Sequence, residues 1–197
     1  MRENQRRKAQ VRDARGAASQ LREDETITIW TIGHSTRPIA DFIGLLRLNG
    51  VETVVDVRRF PSSRKYPQYD QVALRDSLAG ESIDYLWLPS LGGRRRPVPD
   101  SPNSVWRNDA FRGYADHIAT EEFASGLFEL LAVAYGSRTS IMCSEAVWWR
   151  CHRSIIADVL CSIGVRVLHI MEGGKTTVHP YTAPARIVDG LLTYSTD

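Results

Sequence analysis

Short apolar runs alternate along the chain with amphipathic stretches. ITIWTIG, VETVVDV, IDYLWL, TSIMC and VRVLHI read as five strands, and VETVVDV is apolar almost throughout, as buried parallel strands are. Between them, PIADFIGLLRLNG has helical spacing, opened by Pro38 and stopped by Asn49-Gly50. DQVALRDSLAG is a second helix, and residues of about 109–135 form two more, broken near Ala119-Thr120. Residues 152–163 form the last helix. Strand–helix alternation with short crossovers predicts a single three-layer α/β/α domain over 26–197, with a mostly parallel, roughly five-stranded sheet and helices on both faces. The tail after Gly174 is polar, carries Pro180 and Pro184, and is expected to lie along the surface. No internal repeat is visible.

Residues 1–25 break the pattern. They hold few large apolar side chains and many charges, and Arg2, Arg6, Arg7, Lys8, Arg12 and Arg15 outnumber the acids there. Such a segment buries too little to order itself and reads as a disordered basic extension, either simply solvated or an arm that touches nucleic acid. The chain as a whole, 43% apolar and 24% charged, has ordinary globular composition. Three cysteines do not make a disulfide framework. With no run of eighteen apolar residues and no secretory h-region, the expectation is a cytoplasmic protein without a membrane span. Nothing in the chain specifies an oligomeric state.

Charge changes the picture through its placement. In parallel sheets, ligands bind beyond the carboxyl ends of the strands. Those ends empty into Gly33, His34, Ser35, Thr36 and Arg37; into Asp56, Arg58, Arg59, Ser62, Ser63, Arg64 and Lys65; into Gly92, Gly93, Arg94, Arg95 and Arg96; and into Cys143, Glu145, Arg150, His152 and Arg153. A basic, glycine-containing rim suits an anionic partner, a small molecule or a nucleic acid. Ser35 or Thr36 also suits the N-cap ahead of Pro38. Asp56, at the end of a buried strand, needs a partner and is placed to orient Arg58 or His34, or to act as a base. Tyr114 stands near the arginine loop, with a hydroxyl to offer a ligand or a ring to bury.

Candidate chemistry concentrates in IMCSEAVWWRCHRSIIADVL. A cysteine at a strand end, with arginines beside a helix N-terminus, is a setting for a stabilised thiolate. Three readings of it stay open. In one, Cys143 is a nucleophile and Glu145 its general acid or base. In another, Cys143, Cys151 and His152 hold zinc, although C-x7-C-H is not a standard spacing. In the third, the cysteines are small buried hydrophobes, as Cys161 on an apolar helix face is expected to be. Trp148 and Trp149 either stack a ligand or plug the underside of the loop.

TIGHS, VVDVRRFPSSR, LPSLGG, FRGYADHI, MCSEAVWWRCHRSIIADVL and VLHI, in that order over about 28–171, resemble the DUF488 family of uncharacterised small proteins. The matching positions are Gly33, His34, Ser35, Asp56, Arg58, Pro61, Ser63, Arg64, Gly92, Gly93, Tyr114, Cys143, Glu145, Cys151, His152 and Arg153. The resemblance implies no established activity. A weaker similarity, to rhodanese-like domains, rests on VVDVR, SIMCSEAVWWRCHRSIIADVL and HIMEGG. It departs in the ten positions from Cys143 to Arg153, where a rhodanese loop is tight; a phosphatase-type C-x5-R is absent too.

These readings converge on an expected enzyme, a thiol-dependent, sulfurtransferase-like transferase acting on an anionic, nucleotide or nucleic-acid-like substrate. Cys143 is its thiolate nucleophile or sulfur carrier, and Glu145, His34 and Asp56 assist. Ser35, Arg58, Ser63, Arg64, Gly92, Gly93, Arg94, Tyr114, Cys151, His152 and Arg153 bind the substrate. No cofactor is called for beyond the zinc alternative. Two other classes compete: a non-catalytic nucleic-acid-binding module using the basic rim, and a zinc-stabilised interaction domain.

Overall fold

The computed structural model describes residues 26–195, so the expectation for the N-terminal extension lies outside the described residues. Five parallel strands are formed where the apolar runs place them: β1 (Thr28–Gly33), β2 (Thr53–Asp56), β3 (Asp84–Trp87), β4 (Thr139–Cys143) and β5 (Arg166–Ile170). Five helices connect them: α1 (Ile39–Leu48), α2 (Gln71–Ala79), α3 (Asp109–His117), α4 (Glu121–Gly136) and α5 (Arg153–Ser162).

Local chemistry explains most of the helix boundaries. Asp70, Asn108 and Thr120 accept hydrogen bonds from the first free N–H groups of α2, α3 and α4. Thr120 is thus the reason the stretch 109–135 divides where it does. At α1 the expected side-chain cap is absent. Pro38 occupies the N-cap, where its missing N–H costs nothing, and neither Ser35 nor Thr36 bonds to the helix. Ser35 instead takes a left-handed conformation, φ 50°, where the chain turns out of β1.

Two apolar clusters, one on each face of the sheet, establish the three layers. Trp30, Ile32, Val54 and Met142 pack under Phe42 and Leu46 of α1 and Leu74 and Leu78 of α2. Ile29, Val55, Ile141 and Val167 pack under Phe123 and Leu130 of α4 and Ile155, Ile156 and Leu160 of α5. Each fully buried aliphatic side chain contributes roughly 1.5–3 kcal/mol. Cys161 is half-buried against this second cluster.

The sheet order is β3-β2-β4-β1-β5-β6. The sixth strand, β6 (Thr176–Val178), runs antiparallel to β5 and corrects the count of five. A separate ribbon of β7 (Arg186–Val188) and β8 (Leu191–Thr193) follows, in a segment expected to be plain surface tail. β6 and β7 are exposed along their length, so no hydrophobic alternation announces them. The ribbon delivers Tyr194, fully buried, to the α5 face.

Candidate active site

From β1 the chain moves toward β2, on one side; from β4 it moves toward β5, on the other. The crevice where connections diverge, beyond the ends of β1 and β4, is the topological switch point at which parallel sheets bind ligands. The residues facing each other there are Gly33 and Cys143. Pairing continues past them, His34 N–H to the Cys143 carbonyl at 3.0 Å and Ser35 N–H to the Ser144 carbonyl at 2.8 Å. Only glycine fits at 33, because a Cβ would stand 1.8 Å from the Glu145 carbonyl oxygen.

Cys143, Cys151 and His152 meet in this crevice. The Cys143 and Cys151 sulfurs lie 3.9 and 3.6 Å from His152 Nδ1. His152 Nε2 donates to the Val57 carbonyl at 3.0 Å, which turns Nδ1 toward both thiols. Gly93 makes room for the ring, since a Cβ there would come within 2.8 Å of Nδ1. Arg153, the first residue of α5, turns back over the loop. Its Nε donates to Cys151 Sγ at 3.4 Å, one terminal nitrogen to the Glu145 carbonyl, and the other to Thr31 Oγ1 at 3.5 Å. Only 1% of Arg153 is exposed, and among the described residues no carboxylate pairs with it.

This arrangement separates the two thiols. Burial pushes the Cys151 thiol up, but the hydrogen bond from Cys143 and the Arg153 charge outweigh it and bring the group down to about 6. Cys143, whose proton is committed to Cys151 and which is itself buried, moves the opposite way. The pair titrates as a unit that shares one proton, held on Cys143. The sequence reading put the thiolate on Cys143; the charges favour Cys151. As metal donors, the three ligand atoms all lie within 4.8 Å of one another, with no fourth His, Cys, Asp or Glu grouped with them among the described residues. A cation there would also face the Arg153 guanidinium, so the donor set fits zinc poorly.

Other predicted residues fall into three groups. His34 lines the crevice, stacked on Tyr69 with ring centroids 4.0 Å apart. Its Nδ1 bonds to the Ser35 carbonyl, its buried Nε2 has no partner, and burial brings it down to about 4. Asp56 and Arg58 form a closed buried pair. Arg58 Nε and a terminal nitrogen grip the carboxylate at 2.9 and 2.6 Å, and Tyr85 donates to it at 2.7 Å. Asp56 therefore orients Arg58, and its oxygens are too committed for it to act as a base. The remaining candidates do not converge on the sulfurs. The Glu145 side chain is exposed, and only its carbonyl enters the site. Ser63 accepts from Tyr66 N–H and closes a turn, and Arg64 is exposed. Gly92 packs on Arg59. Tyr114 is buried, with its hydroxyl donating to the Leu91 carbonyl at 2.6 Å, which removes it from the ligand contacts. Arg94 stands on the rim, where it and Arg59 flank the exposed ring of Phe60.

Behind Arg153, sequence reasoning missed a set of buried polar residues: Thr31, His169, His179 and Asp158. For Thr31, His169 and Asp158 the signal was present, as polar residues in the apolar runs ITIWTIG, VLHI and IIADVL; His179, after the exposed TTV, carried none. Trp148 covers them, stacked on His169 at 4.2 Å, and so plugs the loop from below; Trp149 points out to water.

The molecule is thus a three-layer parallel α/β domain with a two-thiol site at its switch point. It belongs to the family described as domain of unknown function DUF488, whose model matches residues 38–160, more than half of the chain. No curated protein and no solved structure matches it. Among the described residues no helix is long and apolar enough to cross a membrane.

Proposed function

We propose that the protein is a thiol-dependent enzyme acting on an anionic substrate in the reducing cytoplasm, with Cys151 as nucleophile and Cys143 as its proton-bearing partner. One observation carries the reading: a buried guanidinium donates to Cys151 Sγ and, among the described residues, has no carboxylate to neutralise it. An unpaired buried cation is expensive, and a thiolate is the compensating anion within reach. The same buried guanidinium charge favours a small anion in the crevice.

Sulfur transfer is the most concrete chemistry for this set. The Cys151 thiolate attacks the outer sulfur of an anionic sulfane donor such as thiosulfate. The donor S–S bond breaks, sulfite leaves with the electron pair, and Cys151 becomes a persulfide. A nucleotide or other phosphate-bearing acceptor would then meet Arg59 and Arg94 at the rim.

The test is peptide-resolved alkylation of the folded, metal-free protein against pH. Cys151 is expected to titrate near 6, far below Cys161, which burial beside Asp158 pushes up to about 11. A Cys151 profile in the ordinary thiol range of about 8.5 would rule the reading out. A second reading, a nucleic-acid-binding module, draws on Phe60, 60% exposed between two arginines. It requires single-stranded nucleic acid to bind with a steep salt dependence that Phe60→Ala weakens and Cys151→Ser leaves alone. Stoichiometric zinc retained through dialysis would favour the third class, a metal-stabilised interaction domain.

A further inference from the structure

A buried chain of hydrogen bonds runs from the thiol site to the far side of α5. Arg153 donates to Thr31 Oγ1 at 3.5 Å, the longest link. Thr31 Oγ1 lies 2.7 Å from His169 Nδ1, His169 Nε2 lies 2.9 Å from His179 Nδ1, and His179 Nε2 lies 2.9 Å from Asp158. Asp158 also accepts from Thr182 N–H and Oγ1 and from the Tyr194 hydroxyl. Every residue from Arg153 to Asp158 in this chain is buried.

Both ends impose the same direction. A guanidinium only donates, so Thr31 accepts from Arg153 and its single hydroxyl proton goes to His169 Nδ1. His169 is neutral, because burial, with the Arg153 charge beyond it, brings it down to about 3. It therefore donates through Nε2 to His179 Nδ1, and His179 donates through Nε2 to Asp158. At the other end, a carboxyl group receiving four donors is an acceptor and asks for that same proton on His179. The chain is assembled from β1, β5, α5 and the segment after β6, with no apolar break.

We infer that Asp158, His179, His169 and Thr31 form a one-way relay that gives the buried Arg153 a remote counter-charge and fixes its guanidinium against Cys151. They are positioning residues, and none of them touches either sulfur in the structure. Cys151 itself is faced by Arg153, Cys143 and His152, and His169 by Thr31, His179 and Trp148. Around Asp158 stand His179, Thr182, Tyr194, Cys161 and Tyr181. The relay accounts for a histidine in the middle of a central strand and an aspartate inside an apolar helix. Its influence on Cys151 rests on the thiolate reading above.

Two measurements test it. In the full chain carrying ¹⁵N-histidine, ring resonances assigned through contacts with Trp148 report where the protons sit. The expected result is His169 and His179 both protonated on Nε2 alone at neutral pH. A proton on His169 Nδ1, or a doubly protonated ring, overturns the relay. Thr31→Val removes the acceptor for Arg153, and the Cys151 alkylation profile should move up by about one pH unit, a roughly five-fold loss of rate at pH 6, with Thr31→Ser restoring it. An unmoved profile in Thr31→Val, with wild-type Cys151 still titrating low, overturns the coupling. Should wild-type Cys151 titrate like an ordinary thiol, the thiolate reading fails, and the ring-proton measurement still decides the relay.

Discussion

Arg58 and Arg153 are both buried arginines at strand-end loops, and they have opposite roles. Arg58 sits on the α1 and α2 face and is closed on itself. Asp56, two residues earlier, takes its fork, and the Tyr69 carbonyl takes another N–H at 2.8 Å. Arg153, on the α5 face, contacts a sulfur, a carbonyl and a hydroxyl, all formally neutral until Cys151 ionises. A basic loop is therefore not one kind of object. One arginine is half of a finished ion pair that holds β2 to its loop, and the other is a buried charge with no carboxylate paired to it among the described residues.

Breaking each side should separate them. Arg58→Met strands the Asp56 carboxylate in the core and should destabilise by about 3–5 kcal/mol in urea unfolding at pH 7. Gly33→Ala forces the Glu145 carbonyl off Arg153 and should cost about 2–3 kcal/mol while also slowing Cys151 alkylation. Arg153→Met should cost less, about 1–3 kcal/mol, because Cys151 takes back a proton and the buried Asp158 carboxylate keeps its four hydrogen-bond donors.

The thiol pair sharpens the contrast through pH. Cys151 titrates near 6 when folded against an ordinary value of 9.0, so between those limits the unfolded chain binds the extra proton. Stability should rise with pH across that window, by up to about 1.4 kcal/mol per unit, and be lost as pH falls through 6. Above the window the sign reverses, because the folded Cys143 holds its proton after the unfolded thiol has lost it. Cys151→Ser should flatten the rise, as read from unfolding midpoints at pH 6, 7 and 8. The smallest change belongs to the closed side: Gly44→Ala in α1, with open space around the new methyl, should stabilise by about 0.5–1 kcal/mol and leave the thiols alone.

The sequence made the five parallel strands legible because each is an apolar run bounded by turn residues, and TSIMC coincides with β4 to the residue. It also singled out the ends of β1 and β4, where the candidate site lies, since those ends can be named once the order of elements is read. It did not separate Cys143 from Cys151. What separates them is the path of one side chain, Arg153 folding back two residues to reach Cys151, and linear spacing does not encode that turn. Glu145 was chosen for its carboxylate and contributes its carbonyl instead, a main-chain role that any residue type can fill. Thr31, His169 and Asp158 were visible as polar interruptions of apolar runs, whereas His179 sits in a polar segment that gives no such signal. Their meaning emerged only when β5, β6 and α5 brought them into line.

The pairing of β1 with β4 also sets a timetable. Gly33 and Cys143 are 110 residues apart in the chain, and Thr31 meets His169 from farther still. During synthesis, β1 waits for more than half the chain before its neighbour exists, and α5, β5 and the segment around His179 come last. Until those late pieces dock, Cys151 has no buried guanidinium beside it and behaves as an ordinary thiol. On the proposed reading, the Cys151 thiolate is a property of the finished fold, and the rate at which low-pH alkylation appears during refolding would clock the closure of these long-range contacts.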